Sequence, residues 1–375
     1  MLFFIPSCFS VPKAEYLASE QNNNKENLMK RPGMILFVVI ICTMGCQKSE
    51  KESPTEPDNS PAAGDYYVDV YDSSRVFQGT TLFTDSHDPE NMRVVEVDMA
   101  GAVIWEFTVP QNWLIQPVVG FDAELLPNGN ILLVLSNTGL FEIDRNGTVV
   151  WQHLDPRCSH DADRLNNGNT LYIFGNSDVK SDSCVKEVDA NGNVVWSWKA
   201  FNYYNESPYN EISYQGWCHA NAVTRMGNGH TLISIRNFDM TVEVDAAGNP
   251  VWEFHWQDLY PATTLPAFYP HEPEIHSDNT LMVCLQVESP YQVVEIDKGT
   301  GEVKWEYHRD NFRTCRDADG LPNGNVLIVG VMTDWNESVI YEVTQDKEIV
   351  WELRLYDIPV DRQPGHFFKA QRIAL

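Results

Sequence analysis

Four histidines and two arginines carry the chemistry that can be read in this sequence. His160, His219, His271, Arg316 and His366 begin successive copies of one phrase: HDADRLNNGNTL, HANAVTRMGNGHTL, HEPEIHSDNTL, RDADGLPNGNVL and, near the C-terminus, HFFKAQRIAL. The earliest copy starts with Phe121 instead. Measured from the Asn-Gly turn that follows, the position slips by up to two residues, so each copy offers a three-residue window. There are ten histidines in 375 residues, so six such windows would hold about half a histidine by chance; four are found. A neutral imidazole is a nucleophile and a proton carrier near pH 7. A guanidinium matches the oxygens of an oxyanion. Arg236 ends the strand that follows His219, and antiparallel pairing sets the two side by side.

The elements that position these groups repeat six times. A hairpin phrase recurs as VVEVDMAGAVIWEF, LFEIDRNGTVVWQH, VKEVDANGNVVWSW, TVEVDAAGNPVWEF, VVEIDKGTGEVKWEY and IYEVTQDKEIVWEL. Each is an alternating strand, a turn and a second strand bearing Trp105, Trp151, Trp196, Trp252, Trp305 or Trp351. The histidine-bearing phrases are also hairpins and alternate with these. Four antiparallel strands (a, b, c and d) per period of 45–56 residues predict an all-β fold, a six-bladed β-propeller of four-stranded blades. The first repeat lacks strand a, and the C-terminal strand is expected to complete that blade and close the ring. The repeated tryptophans are expected to pack between blades.

In a propeller strand a lines the axial channel. Its start meets the end of strand b on the face that carries the d-to-a crossovers. Two crossovers are long and aromatic: FNYYNESPYNEISYQGW (201–217), leading to His219, and WQDLYPATTLPAFYP (256–270), leading to His271. The expected pocket has a cationic floor, including Arg316 and His366, and walls of Tyr203, Tyr204, Tyr209, Trp217, Phe268 and Tyr269. Such a pocket suits a small anion attached to a ring.

The HDADRLNNGNTL phrase, CHANAV ahead of TLISIRN, and the EVD…G…VW hairpins resemble the bacterial arylsulfate sulfotransferase family over roughly residues 66–375. The resemblance implies an extracytoplasmic six-bladed propeller that moves a sulfuryl group from an aryl sulfate to a phenol without a nucleotide donor or other cofactor. It implies that a channel histidine is transiently sulfated. His160, His219 and Arg236 (in Ser234-Ile235-Arg236) match the sulfate-holding residues, and His271 is the expected sulfated histidine. The large N-terminal β domain of longer members is not present in this sequence.

Composition bounds the alternatives. A net charge of −27 argues against a nucleic-acid partner, which needs a basic surface. Three other readings compete: a ligand-binding or scaffold propeller without turnover, a metal site using Cys158, Cys218 or Cys315, and a quinoprotein. Adjacent strand residues face opposite ways, CxxC and HExxH spacings are missing, and quinoproteins favour eight blades, so the last two rank lower. A Cys158–Cys184 disulfide would be allowed in an oxidising compartment.

The N-terminus reads as an address. Residues 34–45 (MILFVVIICTMG) follow Lys30 and Arg31 and are too short to span a bilayer. Cys46 and the polar run after it resemble a bacterial lipoprotein signal, which implies lipidation of Cys46. The expected organisation is an upstream extension at 1–28 with translation starting at Met29, a signal peptide at 29–45, a tether at 46–65 and a propeller at 66–375. The chain would then lie at the cell envelope, meeting the membrane through its lipid only. Mass spectrometry of the membrane fraction should find a lipid on Cys46, and Cys46→Ser should release the protein from that fraction.

Overall fold

Each repeat supplies two kinds of turn whose chemistry sets where its strands stop. In the a–b turns, Gly129, Gly168, Gly229 and Gly324 have φ of 84–87°, and a Cβ there would meet nothing within 4 Å. Glycine is needed for its left-handed backbone, not for room. In the c–d turns an aspartate carboxylate receives backbone N–H groups two and four residues on, as Asp144 does from Asn146 (2.9 Å) and Thr148 (2.8 Å). Asp98, Asp189 and Asp245 repeat the arrangement. This is why the hairpin phrase ends its first strand in Asp.

The computed structural model describes residues 66–375 apart from 116–120, 176, 260–265, 278, 287–291, 333–336 and 356–366. The expected tether, signal, extension, Cys46 and His366 lie outside the described residues. Blade 1 joins Gly79–Asp85, Arg93–Val97 and Val103–Thr108 to the C-terminal strand Phe367–Ala374, which pairs with Gly79–Asp85 as strand a. Blade 2 comprises Phe121–Leu125, Ile131–Leu135, Gly139–Ile143 and Val149–Leu154; blade 3 Cys158–Arg164, Thr170–Phe174, Val185–Val188 and Val194–Trp198. Blade 4 is built from Ala220–Arg225, Thr231–Ile235, Met240–Val244 and Pro250–His255, and blade 5 from His271–Ser277, Thr280–Leu285, Gln292–Asp297 and Val303–His308. Blade 6 has Phe312–Gly320, Val326–Met332, Ser338–Val343 and Ile349–Leu355. It also gains a fifth strand that the repeat pattern did not foretell: Tyr66–Tyr71 pairs antiparallel with its outer edge, from Tyr66 opposite Leu355 to Tyr71 opposite Trp351. All six blades are thus antiparallel sheets, and the ring closes through the C-terminal strand.

Neighbouring blades share one recurring joint. Strand d offers a tryptophan whose indole N–H donates to a carbonyl in the next blade's c–d turn: Trp105 to Arg145 (2.9 Å), Trp151 to Ala190 (3.0 Å), Trp252 to Lys298 (3.0 Å) and Trp305 to Gln345 (3.0 Å). Trp351 closes the ring on Met99 (2.9 Å). In blade 3 the bond runs from Trp198 to Gly248 O (3.0 Å), two residues beyond the Trp196 of the repeat. The next blade also lays a cation over the ring and pairs it with a strand c glutamate: Arg164 over Trp151 with Glu142, Arg225 over Trp196 with Glu187, Lys298 over Trp252 with Glu243, and Arg372 over Trp351 with Glu342.

Trp351 is fully buried and packs with Phe83, Val95, Leu353 and Phe367 from both sides of the closure. Trp351→Ala should cost about 3–5 kcal/mol through the cavity it leaves. A denaturant titration of the variant against wild type checks this.

Candidate functional site

The a strands of blades 3 to 6 bring their chemistry to one end of the channel, and each of these four has a register shift against its strand b. The pairing with strand b shifts opposite Tyr172/Ile173 in blade 3, between Ala220 and Ala222 in blade 4, between His271 and Glu274 in blade 5 and between Cys315 and Asp317 in blade 6. His160 (φ 58°), His219 (φ 47°), Tyr269 (φ 46°) and Glu272 (φ 42°) hold left-handed backbone that non-glycine residues seldom adopt. Each bulge inserts residues ahead of the regular ladder, which is the physical origin of the slip seen in the sequence. Such strained positions re-aim side chains.

His160, His219 and His271 are all buried. The His160 and His219 rings meet edge to face at 5.0 Å. His160 also meets Phe368 at 6.1 Å, and Arg316 lies over the same phenyl ring at 5.7 Å. Arg316 Nη1 donates to His271 Nε2 at 3.2 Å. The Nδ1–H of His219 donates to Gln215 O, and that of His271 to Tyr269 O, both at 2.7 Å. Those bonds fix the tautomers and leave each Nε2 with its lone pair. His160 Nδ1 is buried with no hydrogen-bond partner among the described residues. Ala220 pairs with Ile235, so His219 and Arg236 lie just beyond the last pair of that hairpin. Arg236 itself opens a 3₁₀ turn, Arg236–Phe238, rather than ending the strand. Its guanidinium lies 4.3 Å from the Tyr269 ring centre and 5.6 Å from that of Tyr214.

Burial, then the charges of Arg236 and Arg316 and the neighbouring histidines, push the imidazoles toward neutrality. His160 and His271 fall well below the usual histidine range, and His219 falls to about 4. At pH 7 the site therefore presents neutral imidazoles, the nucleophilic form, beside two guanidinium groups that can hold an anion.

A supporting layer escaped the sequence reading. Asp178, in the b–c loop of blade 3, receives the backbone N–H groups of Trp217 (3.1 Å), Cys218 (2.9 Å) and His219 (2.9 Å). Asp239 does the same one blade on, for Ala267 (2.7 Å), Phe268 (2.9 Å) and Tyr269 (3.0 Å). Asn221 Nδ2 and Ser234 Oγ both donate to Pro270 O, at 2.9 and 3.0 Å, just ahead of His271. Asn237 Nδ2 donates to Tyr214 O at 2.7 Å. The unrepeated polar residues after TLISIR, Asn237 and Asp239, were the available signal.

Beneath the histidines, Lys369 of the closing strand is enclosed by acids. Its Nζ lies 2.6 Å from Asp161, 2.9 Å from Glu272 and 3.5 Å from Asp122. Asp317 accepts the N–H of Ala370 at 3.0 Å. These acids immediately follow His160, His271, Phe121 and Arg316. Burial raises the carboxyl groups of this region: Asp122 to about 8, Glu124 and Glu274 to about 7 and Asp317 to about 6.

The aromatic walls are smaller than the sequence suggested. Tyr204 and Trp217 are buried in the core between blades 3 and 4, and Tyr209 packs against it. Phe268 belongs to the core between blades 4 and 5. Tyr203 stacks on Trp198 at the outer strand. The aromatic residues facing Arg236 are Tyr269 and Tyr214. Cys158 Sγ donates to Leu135 O at 3.3 Å, while Cys184 faces Cys218 rather than Cys158. Among the described residues no three His, Cys, Asp or Glu side chains form a metal-binding group.

The arylsulfotransferase (ASST) family model matches residues 67–314. A search of curated proteins returns no match. Among solved structures, a Bacteroides caccae protein of unknown function is similar, with 14% identity, a TM-score of 0.56, and coverage of 79% of this chain and 99% of that one. A catalytically inactive virginiamycin B lyase from Staphylococcus aureus, solved with quinupristin, is 11% identical with a TM-score of 0.47, over 80% of this chain and 90% of that one. At 14% identity the likeness to the Bacteroides caccae protein speaks to the fold alone.

The raised carboxyl groups give the pH dependence of stability a definite sign. Unfolded, Asp122, Glu124 and Glu274 would titrate near 4; folded, they take up protons between about pH 8.5 and 6.5. The native state then binds more protons than the unfolded one, so stability rises as pH falls through that window. The Tm should be higher at pH 6.5 than at 8.5, and Asp122→Asn should flatten the slope.

Proposed function

The chain belongs to the arylsulfotransferase family, and we propose that it moves a sulfuryl group from an aryl sulfate to a phenolic acceptor through a histidine that carries the group in between. The convergence of His160, His219, His271, Arg236 and Arg316 at one end of the channel carries this reading.

In the proposed first half-reaction His271 Nε2 attacks sulfur, the S–N bond forms and the S–O bond to the aryl group breaks. Nδ1–H remains on Tyr269 O, so the lone pair of Nε2 points toward the substrate. Arg316 donates to that lone pair. An arriving sulfate competes for Arg316 and frees the nucleophile. Arg236 takes further non-bridging oxygens, and the Tyr269 and Tyr214 rings beside it receive the aryl group. Charge developing on those oxygens is stabilised by groups already in place. The departing phenolate needs a proton. Burial first and Arg236 second hold His219 neutral; a bound anion opposes the arginine part, and in this reading His219 takes up a proton together with the substrate. In the second half-reaction the phenol oxygen attacks sulfur, His219 takes the phenol proton, and the S–N bond breaks. The place of action is part of the same proposal: the cell envelope, reached through a lipid on Cys46.

The test is release of a fluorogenic aryl sulfate with and without phenol. Phenol should accelerate release. His271→Ala should lower turnover by about 10³-fold or more and Arg236→Ala by about 10²–10³-fold. Quenched reactions should contain a sulfated His271 peptide. No release and no sulfated histidine from folded protein would instead identify a propeller that binds an aryl anion without turnover.

A further inference from the structure

Outside the histidine cluster, one pair of nucleophilic side chains stands in contact without an assigned role. Cys184 precedes strand c of blade 3, and Cys218 precedes strand a of blade 4, next to His219. Their Sγ atoms are 3.1 Å apart, about 1 Å beyond the length of a disulfide bond. Both residues are fully buried in the core shared by the two blades, beside Trp198, Trp217 and Phe238. Both backbones are held: Cys184 N–H donates to Trp198 O at 2.8 Å, and Cys218 N–H to Asp178 at 2.9 Å. The sulfur atoms are therefore kept facing each other across the blade boundary.

A second pair shows the completed arrangement. Cys284 in strand b of blade 5 is bonded to Cys315 in strand a of blade 6, with Cα atoms 5.6 Å apart. Cys284 is the strand partner of His271, and Cys315 precedes Arg316. Each pair joins two adjacent blades and ends beside a residue of the histidine site.

We propose that Cys184 and Cys218 are a modification site: a dithiol that is oxidised to a second inter-blade disulfide by a disulfide-bearing oxidant. One cysteine thiolate attacks a sulfur of the oxidant and displaces the first of its two thiolates. The other cysteine then attacks the mixed disulfide, forms the Cys184–Cys218 bond and displaces the second thiolate. Two electrons pass to the oxidant, and the two cysteine protons end on its thiols. Because both sulfurs are buried, exchange occurs while the blades dock, before the core closes around them. The bond ties Cys218, and with it His219, to the blade that carries His160. This inference rests on the sulfur geometry and is independent of the sulfotransfer reading.

Refolding the full chain in a glutathione redox buffer, blocking free thiols with iodoacetamide in denaturant and mapping the peptides will test it. The expected map joins Cys184 to Cys218 as well as Cys284 to Cys315, and leaves Cys158 alkylated. Cys218→Ser should make Cys184 alkylatable and leave Cys284–Cys315 intact. Oxidised wild type should melt several degrees above the Cys184→Ala/Cys218→Ala variant, with the gap shrinking on reduction. Recovery of Cys184 and Cys218 in alkylated form while Cys284–Cys315 is joined would overturn the proposal, as would bonding of either cysteine to Cys158.

Discussion

A single buried ammonium group ties the ring and the site together. Lys369 is enclosed by Asp122, Asp161 and Glu272 from blades 2, 3 and 5, and it belongs to the strand that completes blade 1. An isolated charge in such a place is expensive, and removing one partner of a buried pair costs about 3–5 kcal/mol, against about 0–1 for a surface pair. The closing strand therefore has one tolerable register. A slip by one residue would turn Lys369 away from the acids and bring Phe368 or Ala370 among them. The acids directly follow Phe121, His160 and His271, so whatever holds them also sets the level of the histidines in the channel.

The same burial that makes this network strict sets the chemistry above it. Desolvation and two guanidinium groups keep the imidazoles uncharged, while desolvation among the acids holds protons on carboxyl groups. Proton affinities are thus driven in opposite senses within a few residues of one strand: His271 is pushed down and Glu272, its neighbour, is pushed up. Alternation along a strand makes this possible, and the bulges place the change of environment at the start of strand a. Asp178 and Asp239 complete the arrangement by gripping the backbone that leads into His219 and His271.

Most of the fold was legible because it repeats. Six copies of a hairpin phrase predict six blades, the tryptophan in each marks the joint, and the missing first strand predicts closure by the last. The placement of His160, His219 and His271 at the starts of their a strands was legible for the same reason. What repetition does not report stayed hidden. The crossovers occur once each, and their aromatic residues could equally face a pocket or fill a core. Tyr204, Trp217 and Phe268 fill cores because the long loops must bury something of their own. The fifth strand of blade 6 lies outside the repeat. The shift from Trp196 to Trp198 arises because blade 3 has two tryptophans on one face of strand d, and spacing alone does not choose between them.

Ring closure also carries a consequence for the order of synthesis. The strand bearing Lys369 follows every other strand along the chain. As the chain emerges, Asp122, Asp161, Glu272 and Asp317 are all made before their counter-charge, and strand b of blade 1 waits with an open edge. A nascent chain of this design spends that time as an incomplete arc prone to pairing with other edges. The ring, and the ion pairs of Lys369 with the acids that follow Phe121, His160 and His271, are completed only when this last strand joins blade 1.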